Sequence, residues 1–353
     1  MRITVLLGGT SSERDVSLAS GLRVAQALRS LGHTVTAVDT VHGALTVSDE
    51  AAMLASGVMR TLPPEQEALV RMSATALPAT VRAMPRPDET DVVFLGLHGG
   101  KGEDGTIQAL LDLTGVPYTG SGHLASALAM DKDLSKRLLK DAGVPTPRWW
   151  MARVDDDEAW RTAAYADAAV AAIGMPLIVK PSKQGSTVGL SLVKSADALG
   201  PAIAEAFRYD DEVMIEQFIA GRELTVGVLG DQVLPVGEII PKHEIYDYEC
   251  KYTAGMATEV FPAALTDAER IEVQRLALVA FRALKLRGYA RIDFRMATDG
   301  TFQCLEANTL PGMTELSLIP QAAAAAGIPF PALCERIVQL ALRGRTLAPT
   351  EGR

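Results

Sequence analysis

The sequence predicts a mixed α/β and α+β protein in which a parallel sheet comes first and antiparallel sheets follow. At the N-terminus, the strand RITVLL at 2–7 is followed by a helical stretch and by the strand HTVTAVD at 33–39. This spacing predicts parallel strands joined by crossover helices. From residue 213 onward, strands follow one another through short turns, which is typical of antiparallel hairpins. The length of 353 residues predicts two or three domains.

Composition limits the classes of function. The net charge of −9 argues against nucleic acid as a main partner. A hydrophobic content of 48% with 22% charged residues indicates a soluble globular protein. The three cysteines are scattered without a CxxC pair, so neither a disulfide framework nor a zinc site is indicated. The N-terminal apolar run is too short for a signal peptide or a membrane span. We therefore expect a cytoplasmic protein with no nucleic-acid or membrane partner.

The first unit alternates strands and helices up to residue 121. Asp15 is the expected cap of the first helix, and Gly32 follows its end. We predict one or two helices with surface loops in residues 43–90 and a buried parallel strand at 91–99.

The remaining chain predicts a middle segment and a hairpin-rich segment. In the middle segment we predict a helix over 124–143 and an extended linker over 144–150. A second helix, over 155–174, has acidic residues in its first turn, and two strands joined by the loop SKQGST follow. From 213 we expect strands in MIEQFI, RELTVGVL and QVLPVGEII, an aperiodic tyrosine-rich stretch at 244–255, and a long amphipathic helix from 267.

The stretch RIDFRMATDGTFQCLEAN at 291–308 predicts a β-hairpin. Asp299-Gly300 is a two-residue turn signal. If Thr298 pairs with Thr301, Asp293 lies opposite Glu306 and Arg291 lies opposite Asn308. These four side chains then share one face because strand side chains alternate. The other face, expected in the core, carries Ile292, Phe294, Leu305 and Ala307.

Two opposed carboxylates repel each other, and a bound cation removes the repulsion. Oxygen ligands from Asp293, Glu306 and Asn308 suit Mg²⁺, which also takes substrate phosphates. The alternative is a solvated polar strand face whose arginines balance the charge. After Asn308 the chain runs into the loop TLPGMTELSLIP, which cannot continue a strand.

Four further residues are candidates for ligand contacts in the predicted α/β fold. Lys180 ends a strand before a glycine-containing loop able to wrap phosphate, although an edge lysine is the plainer reading. Lys132 reads equally well as a helix-surface charge. His98 and Glu13 follow the carboxyl ends of predicted parallel strands, the edge where ligands bind. Each has a structural alternative: a buried histidine and a helix cap.

Residues 100–105, GKGEDG, match the G-x-G-x-x-G pattern only weakly. The pattern follows a late strand, and no acidic residue stands where a dinucleotide site needs one. A nicotinamide site is therefore disfavoured. No P-loop motif occurs.

The order of these segments resembles the D-alanine–D-alanine ligase family of ATP-grasp enzymes. The resemblance spans nearly the whole chain except 43–90 and the last residues. The segments that carry it are GGTSSERDVSLASG, LHGGKGEDGTIQ, PYTGSG, AMDK, VKPSKQGSTVG, YDYECKY, GYARIDF and LEANTLPGMTELSLIP.

The resemblance implies an N-terminal pre-ATP-grasp domain and a two-part ATP-grasp fold. We expect domains at 1–121, 122–212 and 213–353, with ATP between the last two. The family also suggests a homodimer. ATP and D-alanine are the implied substrates, and two Mg²⁺ ions are implied, with Mn²⁺ possible in their place.

The resemblance also implies a role for each matched residue. Lys132, Lys180 and Lys251 are expected to contact the ATP phosphates. Adenine contacts fall to Glu216 and its neighbour Gln217, where the family usually has lysine, and the ribose contact falls to Glu223. Asp293, Glu306 and Asn308 bind the metals. Glu13 holds the first D-alanine, Arg291 and Gly312 stabilise the oxyanion, and Ser317 and Leu318 take the second carboxylate. Ser186 and Tyr252, with His98 nearby, form a polar bridge closing the site.

The implied reaction makes an acyl phosphate from ATP and the first D-alanine, and the second amine then attacks it. Residues 244–255 are the expected lid. Three alternatives remain at this stage: a related ligase with an acceptor such as D-lactate, a catalytically silent nucleotide-binding protein, and a dehydrogenase. Tyr252 favours D-alanine, because depsipeptide-forming relatives tend to have histidine there.

Overall fold

The predicted N-terminal parallel sheet is present. The fold comes from a computed structural model that describes residues 1–56, 72, 76, 78–156, 158–246, 250, 251, 253, 255–315 and 317–346. β1 (Arg2–Leu7) lies between β2 (Thr34–Asp39) and β4 (Val92–Leu95) and is parallel to both, and β3 (Gly43–Ala44) pairs antiparallel with β2. The predicted strand at 91–99 is thus only four residues long.

Helix α1 (Arg14–Ser30) packs on β1 through an apolar face. Gly32 follows its end with φ +85°, as predicted. The prediction of Asp15 as cap is wrong, because Asp15 lies inside the first turn and Glu13 holds the N-cap position. The Glu13 side chain makes no cap hydrogen bond, which leaves its carboxylate for another partner.

Two further helices belong to this part of the chain: α2 (Val47–Ser56), in the segment expected to hold a helix or two, and α3 (Thr106–Thr114). Residues 57–71, 73–75 and 77 lie outside the described residues.

The predicted helix over 124–143 is two helices. α4 (His123–Met130) ends at Asp131, which caps α5 (Lys132–Asp141) by accepting the Leu134 N–H at 3.0 Å. Asp131 has extended backbone angles, so it breaks the helix. The break makes Lys132 the first residue of α5.

The second sheet is antiparallel with the order β5-β8-β6-β7. Its strands are β5 (Trp149–Arg153), β6 (Leu177–Pro181), β7 (Ser191–Val193) and β8 (Glu212–Gln217). The predicted linker at 144–150 therefore already enters β5. The covering helices are α6 (Ala163–Ile173) and α7 (Leu199–Ala206). α6 starts at Thr162, which caps it, so the acidic residues expected in its first turn precede the helix.

The third sheet has the order β12-β11-β9-β13-β14, and β10 pairs with β9. Its strands are β9 (Gly221–Leu229), β10 (Gln232–Val233), β11 (Gly237–Pro241), β12 (Ala257–Val260), β13 (Tyr289–Ala297) and β14 (Phe302–Asn308). Helix α8 (Asp267–Ala283) covers it and begins with a capping box between Thr266 and Glu269. α9 (Leu318–Ala325) and α10 (Phe330–Thr346) follow.

The 291–308 hairpin reaches the predicted register by two compensating shifts. Near the turn, Ala297 rather than Thr298 pairs with Thr301, which leaves a three-residue loop ending at Gly300, φ +83°. A bulge between Asp293 and Phe294 then restores the expected pairs Asp293–Glu306 and Arg291–Asn308. The extra residue is Leu305, whose predicted core position is wrong: it lines a cavity instead.

Core packing joins distant parts of the chain. Ile319, Leu333 and Ile337 from the C-terminal helices share one core cluster with β1 and α1, and Ala125 and Leu139 share another with the third sheet. The division at 121 and 212 stays a prediction. Within the described ranges no single helix is long and apolar enough to cross a membrane. Only the bent pair Leu318–Ala325 and Phe330–Arg343, at 104°, passes that test together.

Candidate active site

Two adjoining cavities contain the predicted site residues. The first, of 270 Å³, is lined by the start of α1, the loop after β4 and the TLPGMTELSLIP loop. The second, of 130 Å³, lies between the second and third sheets. Tyr252 lies outside the described residues.

The predicted residues divide between the cavities. The first cavity has Glu13, His98, Asn308, Gly312 and Ser317. The second has Lys180, Glu216, Gln217, Glu223 and Asp293. The wall common to both has Lys132, Ser186, Tyr246, Lys251, Arg291, Glu306 and Leu318.

The acidic hairpin lies at this common wall. Asp293 accepts from Arg291 Nε at 3.0 Å and Nη2 at 2.9 Å, from Thr225 Oγ1 at 2.7 Å, and from Asn308 Nδ2 at 3.0 Å. Although burial opposes the charge, Asp293 raises the pKa of Arg291 above its usual value. Arg291 therefore stays a cation that both neutralises Asp293 and faces the cavities.

Glu306 lies 3.5 Å from the Lys132 ammonium, and its side chain is 29% exposed. Burial works to raise its pKa, but Lys132, Lys251, Lys180 and Arg291 outweigh burial and lower it to about 2. Glu306 is consequently ionised at neutral pH. The positive charges around it exceed its own, which suits a polyphosphate.

The donor set fits Mg²⁺ that also binds phosphate. Asp293, Glu306 and Asn308 supply oxygen ligands, the kind that Mg²⁺ prefers. Among the described residues no group of three or more His, Cys, Asp or Glu side chains is placed to hold a metal alone. Since Mg²⁺ is commonly held by one or two carboxylates plus substrate phosphates, this sparse set is the expected one.

The floor of the second cavity contains a buried carboxylate between two lysines. Glu216 is 2% exposed, and Lys180 Nζ donates to its Oε2 at 2.7 Å. Lys136 Nζ lies 2.5 Å from Oε1. Although burial opposes the charge, Lys136 and Lys180 lower the pKa of Glu216. Sequence analysis missed Lys136, although its i, i+4 spacing from Lys132 on α5 signals a shared face.

Gln217 stands where the family usually has lysine. Arg148 Nε donates to Gln217 Oε1 at 3.2 Å, while its other nitrogens donate to Ala172 O at 3.0 Å and Ile173 O at 2.6 Å. A guanidinium cannot accept a hydrogen bond. The amide oxygen of Gln217 must therefore face Arg148, and its NH₂ group is turned away from Arg148.

Glu223 is held by a residue that sequence analysis did not identify. Arg295 Nη1 donates to it at 3.0 Å, while Nε donates to Ile219 O and Nη2 donates to Gly221 O, each at 3.0 Å. Burial raises the pKa of Glu223, and Arg295 opposes that shift. Arg295 thus ties Glu223 to the loop after β8 that borders the cavity.

Glu13 accepts a hydrogen bond from Ser186 Oγ, so its side chain is turned toward the cavity instead of capping α1. A Cβ at Gly99 or Gly185 would lie 2.6 or 2.7 Å from Glu13 Oε2, and Gly99 also has φ +64°, so a side chain at either position would displace the Glu13 carboxylate. Ser186 and Thr187 have φ of +52° and +59°, an uncommon region for such residues. Consecutive strained residues of this kind cluster at functional sites.

His98 is buried, and both of its ring nitrogens have partners. Nδ1 lies 2.8 Å from Leu310 O and must carry the hydrogen, so Nε2, 3.0 Å from Ser20 Oγ, accepts. Ser20 Oγ also accepts the Met313 N–H at 3.1 Å. His98 therefore holds the TLPGM loop against the N-terminal sheet, which matches the structural alternative.

This burial predicts a pH-dependent stability. Burial lowers the pKa of His98 below its usual 6.5, against the opposing charge of Glu13. As pH falls, the unfolded chain gains a proton that the folded chain resists, so stability decreases below about pH 6.5. We expect the urea midpoint to drop between about pH 7.5 and 5.5, and to drop less in His98→Gln. Identical pH profiles for the two proteins would contradict this.

The far end of the first cavity has a helix N-terminus. Ser317 is the N-cap residue of α9, and its Oγ accepts the Thr314 N–H at 3.0 Å. Unpaired N–H groups at a helix start favour a carboxylate. A Cβ at Gly312 would lie 2.7 Å from Ser317 Oγ, so the loop needs glycine there. This arrangement suits the carboxylate predicted for Ser317 and Leu318.

Glu103, from GKGEDG, is a third residue that sequence analysis missed. Its carboxylate accepts the N–H groups of Gly99, Thr309 and Leu310 at 3.0–3.1 Å. Burial raises its pKa, and these donors oppose the shift. Glu103 thus joins the loop after β4 to the loop after β14. Thr309 and Leu310 lie 206 and 207 residues from Glu103 along the chain, so no local sequence pattern indicates these contacts.

Comparisons with known proteins agree with this geometry. Residues 2–121 match the family described as "D-ala D-ala ligase N-terminus", and 138–339 match "D-ala D-ala ligase C-terminus". The D-alanine–D-alanine ligase of Trichlorobacter lovleyi is 41% identical over 95% of this chain and 93% of its own. That of Moorella thermoacetica is 40% identical over 97% and 99%.

Solved structures give the same result. The D-alanine–D-alanine ligase from Coxiella burnetii superposes with a TM-score of 0.78 at 28% identity, covering 98% of this chain and 95% of that one. The enzyme from Bacillus anthracis gives 0.73 at 31% identity, covering 98% and 99%.

A cavity between two antiparallel sheets that shares an acidic hairpin wall with a second cavity is the arrangement of an ATP-grasp enzyme. With the matches over both parts of the chain, the assignment narrows further. The chain belongs to the D-alanine–D-alanine ligase family.

Proposed function

We propose that this enzyme uses ATP to join two D-alanine molecules into D-alanyl-D-alanine for peptidoglycan precursors, with ADP and phosphate as the other products. The observation that carries the proposal is the common wall of the two cavities. Lys132, Arg291 and Glu306 line both, so a phosphoryl group there can meet a carboxylate from the first cavity. Family membership supports the same reaction and does not favour a D-lactate acceptor.

ATP binds in the second cavity. Ile178, Phe218 and Leu305 offer apolar surfaces for the base. Glu216 and Gln217 contact the adenine, Glu223 the ribose, and Lys132, Lys180 and Lys251 the phosphates. The unexpected position of Leu305 supports this proposal, since the bulge turns an apolar side chain toward the base.

The amino acids bind in the first cavity. Glu13 takes the ammonium of the first D-alanine, and the N-terminus of α9 at Ser317 and Leu318 takes the carboxylate of the second. Arg291 and the backbone at Gly312 stabilise charge on the acyl oxygens. Ser186, Tyr252 and His98 close the site, with His98 acting through the loop that it holds.

Asp293, Glu306 and Asn308 hold two Mg²⁺ ions, which Mn²⁺ can replace. Bound metal supplies charge neutralisation for the transferring phosphoryl group. The chain's own residues orient the reactants: Lys132 and Lys180 position phosphate oxygens, and Glu13 fixes the first substrate. The acyl phosphate formed from ATP and the first D-alanine hydrolyses in water, so the cavity must be covered during turnover.

One assay tests the function. ADP release is measured with D-alanine, D-lactate and L-alanine in parallel, and the products are identified by mass. D-alanine alone should support rapid release and give the dipeptide. Release without a dipeptide, or equal rates with L-alanine, would contradict the proposal.

Residues 244–255 are proposed to cover the phosphates. Tyr246 and Lys251 line both cavities, and the Lys251 ammonium lies 5.4 Å from the Tyr246 ring centroid. Lys251 gains a phosphate partner only when nucleotide is bound, so ligand favours the closed form.

Trypsin cleavage after Lys251 should therefore be fast in the free enzyme and strongly slowed by ATP with a non-reactive D-alanine analogue. Tyr252→Phe should weaken the protection. Lys251→Gln removes this cleavage site, so the fragment that is missing from its digest is the one produced by cleavage after Lys251. Equal rates with and without saturating ligands would refute the lid.

A cytoplasmic location and a homodimer stay predictions. Sedimentation equilibrium distinguishes a dimer from a monomer directly.

A further inference from the structure

Lys136 is a buried cation that the proposed reaction does not use. It is 0% exposed and lines neither cavity. Its ammonium lies 2.5 Å from Glu216 Oε1, and it donates to Thr146 Oγ1 at 2.5 Å and to Pro147 O at 3.2 Å. It also lies 5.3 Å from the centroid of a Trp149 ring. Two hydrogen bonds and the ion pair with Glu216 therefore hold the Lys136 ammonium within the protein.

Lys180 is placed differently on the same carboxylate. It lines the nucleotide cavity, and among the described residues its ammonium contacts only Glu216 Oε2, at 2.7 Å. Two of its three N–H groups are therefore available to a ligand. Glu216 thus has one cation fixed in the protein and one that faces the nucleotide.

We propose that Lys136 is a positioning residue for the nucleotide phosphates: it balances the charge of Glu216, so that Lys180 keeps a net positive charge for phosphate. The inference rests on the proposed use of ATP. Two ammonium groups on one carboxylate leave one positive charge. Without Lys136, Lys180 and Glu216 form a closed neutral pair that holds the Lys180 ammonium away from phosphate and cancels the attraction.

A purely structural role for Lys136 makes a different prediction. Its loss would then disturb the whole cavity and weaken ligands with and without phosphates alike. Under the proposal, only ligands with phosphates lose affinity. The ratio of the dissociation constants of adenosine and ADP separates the two, because adenosine has the base and ribose but no phosphate.

The experiment measures both ligands by calorimetry or by competition in the full-length enzyme. In Lys136→Met, ADP affinity should fall roughly 10- to 100-fold, the scale of a charge-assisted bond, while adenosine affinity changes little. In Lys136→Met/Glu216→Gln, no carboxylate holds Lys180, so the adenosine-to-ADP ratio should recover toward that of Glu216→Gln alone. A ratio unchanged by Lys136→Met, or unrecovered in the double variant, would overturn the inference.

Lys136→Met leaves the buried Glu216 carboxylate without one of its cations, which can prevent folding. If that variant does not fold, the double variant still tests the inference. Comparison of Glu216→Gln with the double variant then decides. Once residue 216 is neutral, removal of Lys136 should no longer lower the ratio, and a further decrease would overturn the inference. Absence of ADP binding by the wild-type enzyme would overturn the proposed function as well, whereas equal losses of adenosine and ADP would overturn only the role of Lys136.

Discussion

Glu306→Gln is expected to reduce ADP release roughly 10²- to 10³-fold, since metal-assisted charge stabilisation contributes several kcal/mol. Glutamine keeps the shape of the side chain and removes the charge. Lys132, Lys251, Lys180 and Arg291 surround this carboxylate. Without its charge these cations remain, and one proposed metal ligand is lost. The measurement is steady-state ADP release at saturating ATP and D-alanine over a titration of Mg²⁺.

The folded state should survive the substitution. The side chain is 29% exposed, and its protein partner, Lys132, lies 3.5 Å away. Because the surrounding cations lower the pKa of Glu306 to about 2 from 4.5, its charge stabilises the fold above about pH 4.5 and is lost toward pH 2. A lower melting temperature at neutral pH is therefore expected, without unfolding at assay temperature.

Glu238→Gln is the matched control. Glu238 lies in β11 of the same sheet, pairs with Arg222, and lines neither cavity. It should lower stability comparably and leave ADP release near the wild-type rate. Near wild-type release by Glu306→Gln at saturating Mg²⁺ would show that the metal assignment is wrong.

Local patterns in the sequence predicted most elements and the position of the acidic hairpin, because alternation and turn residues act over a few neighbours. The same patterns did not give the path of the hairpin. The Asp299-Gly300 signal placed the turn one residue off, and the bulge beside Phe294 restored the register. Leu305 shows the consequence, since it lines the second cavity and does not lie in the core.

Side-chain partners distant in sequence were beyond local reasoning. Glu103 binds backbone at Thr309, His98 binds Leu310, and Arg295 holds Glu223. Such contacts depend on how the sheets pack together, which neither composition nor periodicity specifies. The family resemblance named residues that are predicted to face ligands. The structure places most of them on the two cavities and adds residues behind them, such as Lys136 and Arg295, that contact them.

Glu13→Gln should raise the KM for the first D-alanine about 10- to 100-fold, the scale of a lost charge-assisted hydrogen bond, and should change the KM for ATP much less. Glu13 lines the first cavity, whereas Glu216, Gln217 and Glu223, which are proposed to contact the base and ribose, line only the second. The Glu13 carboxylate lies close to Gly99 and Gly185 and accepts a hydrogen bond from Ser186, and these contacts orient it. The measurement is initial rate against D-alanine and, separately, against ATP.

Ser186→Ala is the companion variant, because the Ser186 hydroxyl donates to Glu13. It removes one hydrogen bond from an uncharged donor and leaves the carboxylate in place, so its effect on the same KM should be smaller, about 2- to 10-fold. The order of the two effects tests the assignment, since the charge matters most if Glu13 binds an ammonium. Equal changes in the KM values for ATP and D-alanine, or a larger effect of Ser186→Ala than of Glu13→Gln, would show that Glu13 supports the loop and does not bind the substrate.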